Sequence, residues 1–265
     1  MSNPVRAFRL YFYEAWFSYR ALFDWQRLGP YLSVKIFFPL FTMLLFVFMG
    51  RFAGVNSSFY IVIGNILLLP AINGVNGVSL TIGNERIFGT LPYLIGSPAP
   101  RLPLFLGRTL FHILDGMSTV ILALPLAMLF FKVDLTHSNL PLTLFCVLLV
   151  SLTSSGLGMI MGSISLLTSE GWVITATISA ALYILCGVNF PPDILPRTLQ
   201  FISYGLPLTR GIMAARLALS GALWPTVMPL IFGELLVGLI YGIIGYALFL
   251  VIERLSLNGG QLDHV

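Results

Sequence analysis

The sequence predicts an all-α polytopic membrane protein with six transmembrane helices, an N-terminal interfacial helix, and a re-entrant helical hairpin between spans five and six. Composition is the first ground: apolar residues make up 57% of the 265 and charged residues 9%, against about 25% charged in a soluble domain. The second is patterning, because apolar runs long enough to cross the hydrocarbon, which takes about 20 residues, alternate with polar or Gly/Pro-broken segments. With no water in the hydrocarbon to satisfy backbone N–H and C=O groups, such runs must be helices.

Residues 1–30 read as an amphipathic helix. Arg6, Arg9, Tyr13, Arg20, Asp24 and Arg27 recur at spacings of three, four and seven, and Phe8, Phe12, Ala15, Tyr19 and Leu22 fill the opposing face. A face that is basic on one side and aromatic on the other suits the headgroup layer, so the segment is expected to lie flat until Gly29-Pro30 turns the chain into the bilayer. A soluble helix docked on another subunit is the alternative. The segment has no short apolar core with a small-residue cleavage site, so no cleaved signal peptide is expected.

Residues 31–252 form the transmembrane domain. Its six spans are expected at Tyr31 to Gly50, Phe59 to Ile82, Pro103 to Phe131, Leu140 to Leu167, Trp172 to Phe190 and Thr226 to Ile252. An even number of crossings puts both termini on one side, leaving 253–265 as a cytoplasmic tail. Arg6, Arg9, Arg20 and Arg27 precede the first span and only Arg51 follows it, which places the N-terminus inside. Cys146 and Cys186 lie in apolar runs and read as small buried hydrophobes.

Two stripes of polar residues mark the spans. Asn65, Asn73, Asn76 and Ser79 in the second, and Thr175, Ser179, Tyr183, Cys186 and Asn189 in the fifth, each fall within an arc of about 120° at the helical periodicity. Such residues face the protein interior or a water-filled path, so the stripes are either a translocation surface or helix-packing contacts. Ser154, Gly158 and Gly162, and also Gly238 and Gly242, have small-xxx-small spacing and read as packing faces. Arg108, His112 and Asp115 share one face of the third span, and Glu234 lies in the sixth. Each buried ionisable group costs about 2.5 to 3.5 kcal/mol at mid-bilayer and requires a partner.

Between Asn84 and Arg108 the chain reads Asn-Glu-Arg-Ile-Phe-Gly-Thr-Leu-Pro, then Gly-Ser-Pro, then Gly-Arg. Asn84 reads as the N-cap of a short helix opened by Glu85 and Arg86 and limited by Pro92, Gly96 and Pro98. This segment resembles the cytoplasmic coupling segment of ATP-binding-cassette exporter permeases, through Glu85-Arg86, Gly89-Thr90-Leu91, Ser97-Pro98 and Arg108. A second resemblance, to type 2 exporter permeases, lies in Gly187-Val188-Asn189-Phe190-Pro191 and Leu206-Pro207-Leu208-Thr209-Arg210. The resemblance implies that residues 84–102, with Glu85, Arg86, Gly89, Thr90, Leu91 and also Glu170, couple the chain to an ATPase. It also implies that the polar stripes line a path between two permease chains. The hairpin 191–225, with helices expected over Asp193 to Tyr204 and Leu208 to Ser220, would close the outer end.

Energy must then come from another chain. A phosphate-binding loop needs Gly-Lys-Ser/Thr, and the two lysines, Lys35 and Lys132, follow Val and Phe. His112, His137 and His264 lie in separate segments without metal-ligand spacing, and no Gly-x-Ser-x-Gly elbow appears. The chain is therefore expected to be non-enzymatic, holding no cofactor or metal of its own, and the resemblance implies a permease in a bacterial inner membrane. The resemblance implies two ATPase subunits carrying ATP and magnesium, a second identical or homologous permease, and surrounding lipid; no nucleic-acid partner is expected. Among relatives, the Glu-Arg and Gly-Thr-Leu pattern points first to a hydrophobic drug, lipid or lipopeptide as cargo, with a polysaccharide or lipid-linked glycan second. A proton-coupled antiporter using the buried ionisable groups and a non-transport membrane scaffold remain alternatives.

Overall fold

The computed structural model describes residues 9, 13, 16, 28–54, 58–89, 101–168 and 171–259. Helices α1 (Leu28–Phe52), α2 (Ser58–Ile87), α3 (Arg101–Phe131) and α4 (Leu140–Ser165) are followed by the shorter α5 (Gly171–Leu185). A 3-10 turn (Pro192–Ile194), α6 (Arg197–Gly205), α7 (Thr209–Leu219) and the long α8 (Trp224–Gly259) complete the chain. No strand occurs among the described residues. The N-terminal interfacial helix lies almost wholly outside them; Arg9, Tyr13 and Trp16 are helical, with the Arg9 guanidinium 6.0 Å from the Tyr13 ring centroid.

α2 and α4 form the centre. Both are apolar all round, the pattern of a helix enclosed by others, and Val62, Ile63, Ile66 and Leu68 of α2 are fully buried beside Leu142, Cys146 and Val147 of α4. Small residues let the two backbones approach. A Cβ at Gly74 would stand 2.8 Å from the Ser151 carbonyl oxygen, and one at Gly158 would stand 2.7 Å from that of Val75. Gly162 meets Ile82 and Ser79 in the same way, while Gly238 of α8 meets Thr153 of α4. Gly158, Gly162 and Gly238 are therefore packing positions, as the spacing predicts, whereas a Cβ at Gly242 would meet nothing within 4 Å. α1 and α8 lie at the periphery and expose apolar side chains such as Phe41, Phe48, Phe232 and Leu239.

Five helices, α1 to α4 and α8, are long and apolar enough to cross a membrane. The expected fifth span departs from this. α5 has 15 residues, about 22 Å of helix, because the chain leaves the helix before Gly187, which has φ +69°, a conformation glycine adopts without steric cost. Pro191 and Pro192 then prevent its resumption. The non-helical continuation nevertheless follows α2 to its far end, where the Tyr60 hydroxyl donates to the Gly187 carbonyl at 3.0 Å.

The coupling segment also differs from expectation. Asn84 does not open a new helix: α2 continues through Glu85 and Arg86 to Ile87, and the Phe88 amide still donates to the Asn84 carbonyl at 2.9 Å. Nothing between Gly83 and Gly89 breaks the helix, and Gly89, at φ +66°, stops it in the left-handed conformation that commonly ends helices. The continuation at 90–100 lies outside the described residues.

Three segments meet at one end of the bundle. The Asn139 amide donates to the Ala218 carbonyl at 2.9 Å, joining the α3–α4 loop to the end of α7, and the Asn139 side chain accepts from the Leu142 amide as the α4 N-cap. In that exposed loop the Thr136 amide and hydroxyl both donate to Asp134, holding its carboxyl below the usual carboxylate range. The α2 start belongs to this end too. At the other end lie the C-terminal end of α2, the start of α3 and the α4–α5 turn, with a Gly83 Cβ position 3.2 Å from Ser165 Cβ.

Candidate functional site

The two polar stripes face each other within one chain. The Ser179 hydroxyl donates to Asn76 Oδ1 at 2.8 Å, and Ser79 Oγ and Thr175 Oγ1 are 2.8 Å apart. Further along, Asn65 Nδ2 donates to Asn189 Oδ1 at 2.8 Å. These three contacts form a polar seam that holds α5 and its tail along α2. Tyr183 lies beside it, stacked on Phe46 of α1 with ring centroids 5.7 Å apart. Cys186 is buried and unpaired, as is Cys146.

Asn73 departs from the seam. Its Nδ2 donates to Asp115 Oδ2 at 3.3 Å and to Thr119 Oγ1 at 3.4 Å, so it belongs to a second constellation between α1, α2 and α3. There Lys35 Nζ lies 2.7 Å from Asp115 Oδ1 and also donates to the Asp115 carbonyl and the hydroxyls of Ser118 and Thr119. The Tyr31 hydroxyl donates to the same carboxylate. Asp115, half-buried, is thus charge-balanced by Lys35. His112, one turn earlier on the same face, goes elsewhere: its Nε2 is 3.0 Å from Thr81 Oγ1, and its ring lies over Gly77, where a Cβ would stand 2.3 Å from Nδ1.

Glu234 is fully buried and accepts from the Thr153 hydroxyl at 2.8 Å, the Leu208 amide at 2.5 Å and the Gly211 amide at 2.9 Å. Leu208, at φ +95°, has no side-chain cap to offer the start of α7. The carboxylate of α8 replaces it, where a helix N-terminus favours negative charge. Glu234 therefore ties the hairpin to α8 and α4.

The opposite charge is held in the complementary way. Arg216 of α7 is 8% exposed, and among the described residues its guanidinium donates to backbone oxygens rather than a carboxylate: Gly187 at 2.6 Å, Val188 at 2.5 Å and Tyr60 at 3.0 Å. The Gly187 and Val188 carbonyls stand just past the C-terminus of α5, the negative end of the helix dipole. The guanidinium also lies 3.5 Å from the Tyr60 ring centroid. Gly64 makes room for this clasp.

Sequence reasoning missed Lys35 and Arg216. A lone lysine seven residues into a span, and an arginine in an apolar hairpin, are each costly enough to have signalled a buried partner. The side chains of Glu85, Arg86 and Arg108, and all of Thr90, Leu91 and Glu170, lie outside the described residues. The structure does place the last turn of α2 beside the α4–α5 turn.

Five long apolar helices, a hairpin fastened by buried charges, and a polar seam between α2 and α5 define a multi-pass membrane protein. A family model described as ABC-2 type transporter matches residues 16–220, more than half of the chain, and the protein belongs to that family. Its membrane domain is a transport subunit. A search of curated proteins found no match.

Proposed function

We propose that the chain is the permease subunit of an ATP-driven exporter, working with a second permease and two separate ATPase subunits to move a hydrophobic drug, lipid or lipopeptide out of the cytoplasm or inner leaflet. Family membership over residues 16–220 carries the reading. The sequence supports it by offering no Gly-Lys-Ser/Thr phosphate loop, which leaves ATP and magnesium to the partner. In this reading the end of α2, from Glu85 through Arg86, Gly89, Thr90 and Leu91, together with Glu170, receives nucleotide-driven motion. α2 carries it along the seam of Ser79, Asn76 and Asn65 to Thr175, Ser179, Tyr183 and Asn189 of α5, beside the path. α5 with its non-helical tail makes the sixth crossing, and α6 and α7 dip into the outer leaflet as a re-entrant pair.

Coupling is tested in vesicles with the ATPase present. Glu85→Ala and Gly89→Ala should each lower ATP-dependent export at least about tenfold while membrane insertion stays intact. At Gly89 a Cβ meets nothing within 4 Å, so alanine costs only the left-handed backbone, about 1 kcal/mol. Normal export by both variants would remove this segment from the coupling role. Extrusion of a lipid-linked glycan but not of a hydrophobic dye or lipid would reassign the cargo to the second class.

Orientation is tested by thiol labelling in a variant lacking Cys146 and Cys186. Single cysteines at Ser57 and Thr136 should react with an impermeant reagent added outside intact cells, and those at Ser2, Ser97 and Gln261 should be shielded. The reverse pattern inverts the topology. Thr136 is the better probe of its loop because Asn139 caps α4 and packs against Ala222.

A further inference from the structure

A groove of about 350 Å³ runs between α1, α2 and α3, with Val34, Phe38, Pro39 and Leu69 among its apolar walls and Asn73 and Asp115 at its polar end. Val34 and Phe38 are 65% and 53% exposed, so the groove opens on the surface of the bundle. The polar groups it offers are acceptors. Lys35 cannot serve a ligand, because its three protons already go to Asp115, Ser118 and Thr119. Asn73 turns its nitrogen to Asp115 and Thr119, since its oxygen would repel the carboxylate, and this leaves the amide oxygen without a donor among the described residues. Among the described residues Asp115 Oδ2 takes only the 3.3 Å bond from that nitrogen, although a carboxylate oxygen can accept two. The third acceptor comes from the backbone: Pro39 lies inside α1 and has no N–H to give the carbonyl one turn before it, that of Lys35.

Three oxygens at the end of an apolar groove, one of them on the carboxylate that Lys35 already balances, select a ligand by its several N–H donors and its apolar body. We propose that this groove is a binding site for lipophilic primary amines, the ammonium set among Asp115 Oδ2, Asn73 Oδ1 and the Lys35 carbonyl and the chain along Val34, Phe38 and Leu69. The site rests on the exporter reading only for its role, in which such cationic amphiphiles are a cargo entering laterally from the membrane. Its occupancy needs neither ATP nor a partner subunit.

The test is photolabelling of the purified chain in phosphatidylcholine nanodiscs with decylamine carrying a mid-chain diazirine. Adducts are expected in Val34 to Phe38 and Leu69 to Asn73. Unlabelled decylamine should compete at least about tenfold better than decyltrimethylammonium, which has the same charge and chain but no N–H to donate. Pro39→Ala restores an N–H to the Lys35 carbonyl and improves the helix, and Asn73→Leu removes the amide oxygen. Each should reduce the advantage of the primary amine several-fold. Equal competition by the quaternary amine, adducts confined to other helices, or a full advantage in both variants would overturn the site. Loss of labelling when phosphatidylethanolamine is added would overturn the assignment to cargo in favour of a resident lipid. Labelling without ATP-dependent movement of the amine would instead count against the exporter reading and leave the site standing.

Discussion

Gly64→Ala should leave little folded protein, with a loss of about 3 kcal/mol or more, the upper range for overpacking a core. A Cβ at this position would stand 1.9 Å from the Val188 carbonyl oxygen and 2.1 Å from the Arg216 guanidinium. Neither neighbour can give way easily. The carbonyl belongs to the backbone of the α5 tail, and the guanidinium is fixed by three carbonyls and the Tyr60 ring. Gly242→Ala is the control, because its Cβ meets nothing within 4 Å and alanine is favoured over glycine in a helix by about 1 kcal/mol. Thermal unfolding in detergent, followed by size-exclusion fluorescence, should separate the two clearly. Equal melting of both variants would mean that α5 and α7 do not close on α2 as described.

Removing the Glu234 carboxylate should free the hairpin before it unfolds the rest. Glu234→Ala leaves the Leu208 and Gly211 amides and the Thr153 hydroxyl without their acceptor, at about 1 to 3 kcal/mol for each buried group. Amide exchange over 206–212 should accelerate by at least about a hundredfold while α2 and α4 remain protected. Glu234→Gln should rescue only part of the loss, since its NH2 group would face donors. Exchange in the hairpin no faster than in the unaltered chain would show that α7 is held by its apolar contacts alone.

What could be read from the sequence follows from which forces act locally. Apolar length identified the helices, and α2, α3, α4 and α8 contain the expected spans almost whole. Pro207 marks the break between α6 and α7, but the first expected helix does not start at Asp193: that residue lies in the 3-10 turn, and α6 begins at Arg197 after Pro196. At Asn84 the local reading failed: a good N-capping residue sits inside α2 because the chain had no reason to leave the helix until Gly89. The fifth span failed for the opposite reason. Its apolar run continues to Phe190, but Gly187 and the carbonyl contacts of Arg216 determine where the helix stops, and a residue 29 positions away is invisible to a local window. The stripes were visible by periodicity, yet their partners were not. That Asn76 meets Ser179 while Asn73 turns to Asp115 depends on how the helices are assembled.

α8 brings the bilayer itself into this picture. Its apolar stretch runs from Trp224 to Leu255, 32 residues, of which little is covered by the rest of the chain. As a straight helix that is about 48 Å, well beyond a hydrocarbon core of about 30 Å. The surplus has to be absorbed by tilting, by a bend at Pro229 or by local thickening of the membrane, each costing a fraction of a kcal/mol per Å of mismatch. Glu234 sits on that same helix, about one and a half turns past Pro229, so a change of tilt or bend there acts on the residue that fastens the hairpin. A thin bilayer and a thick one would therefore hold the hairpin end of the bundle at different angles.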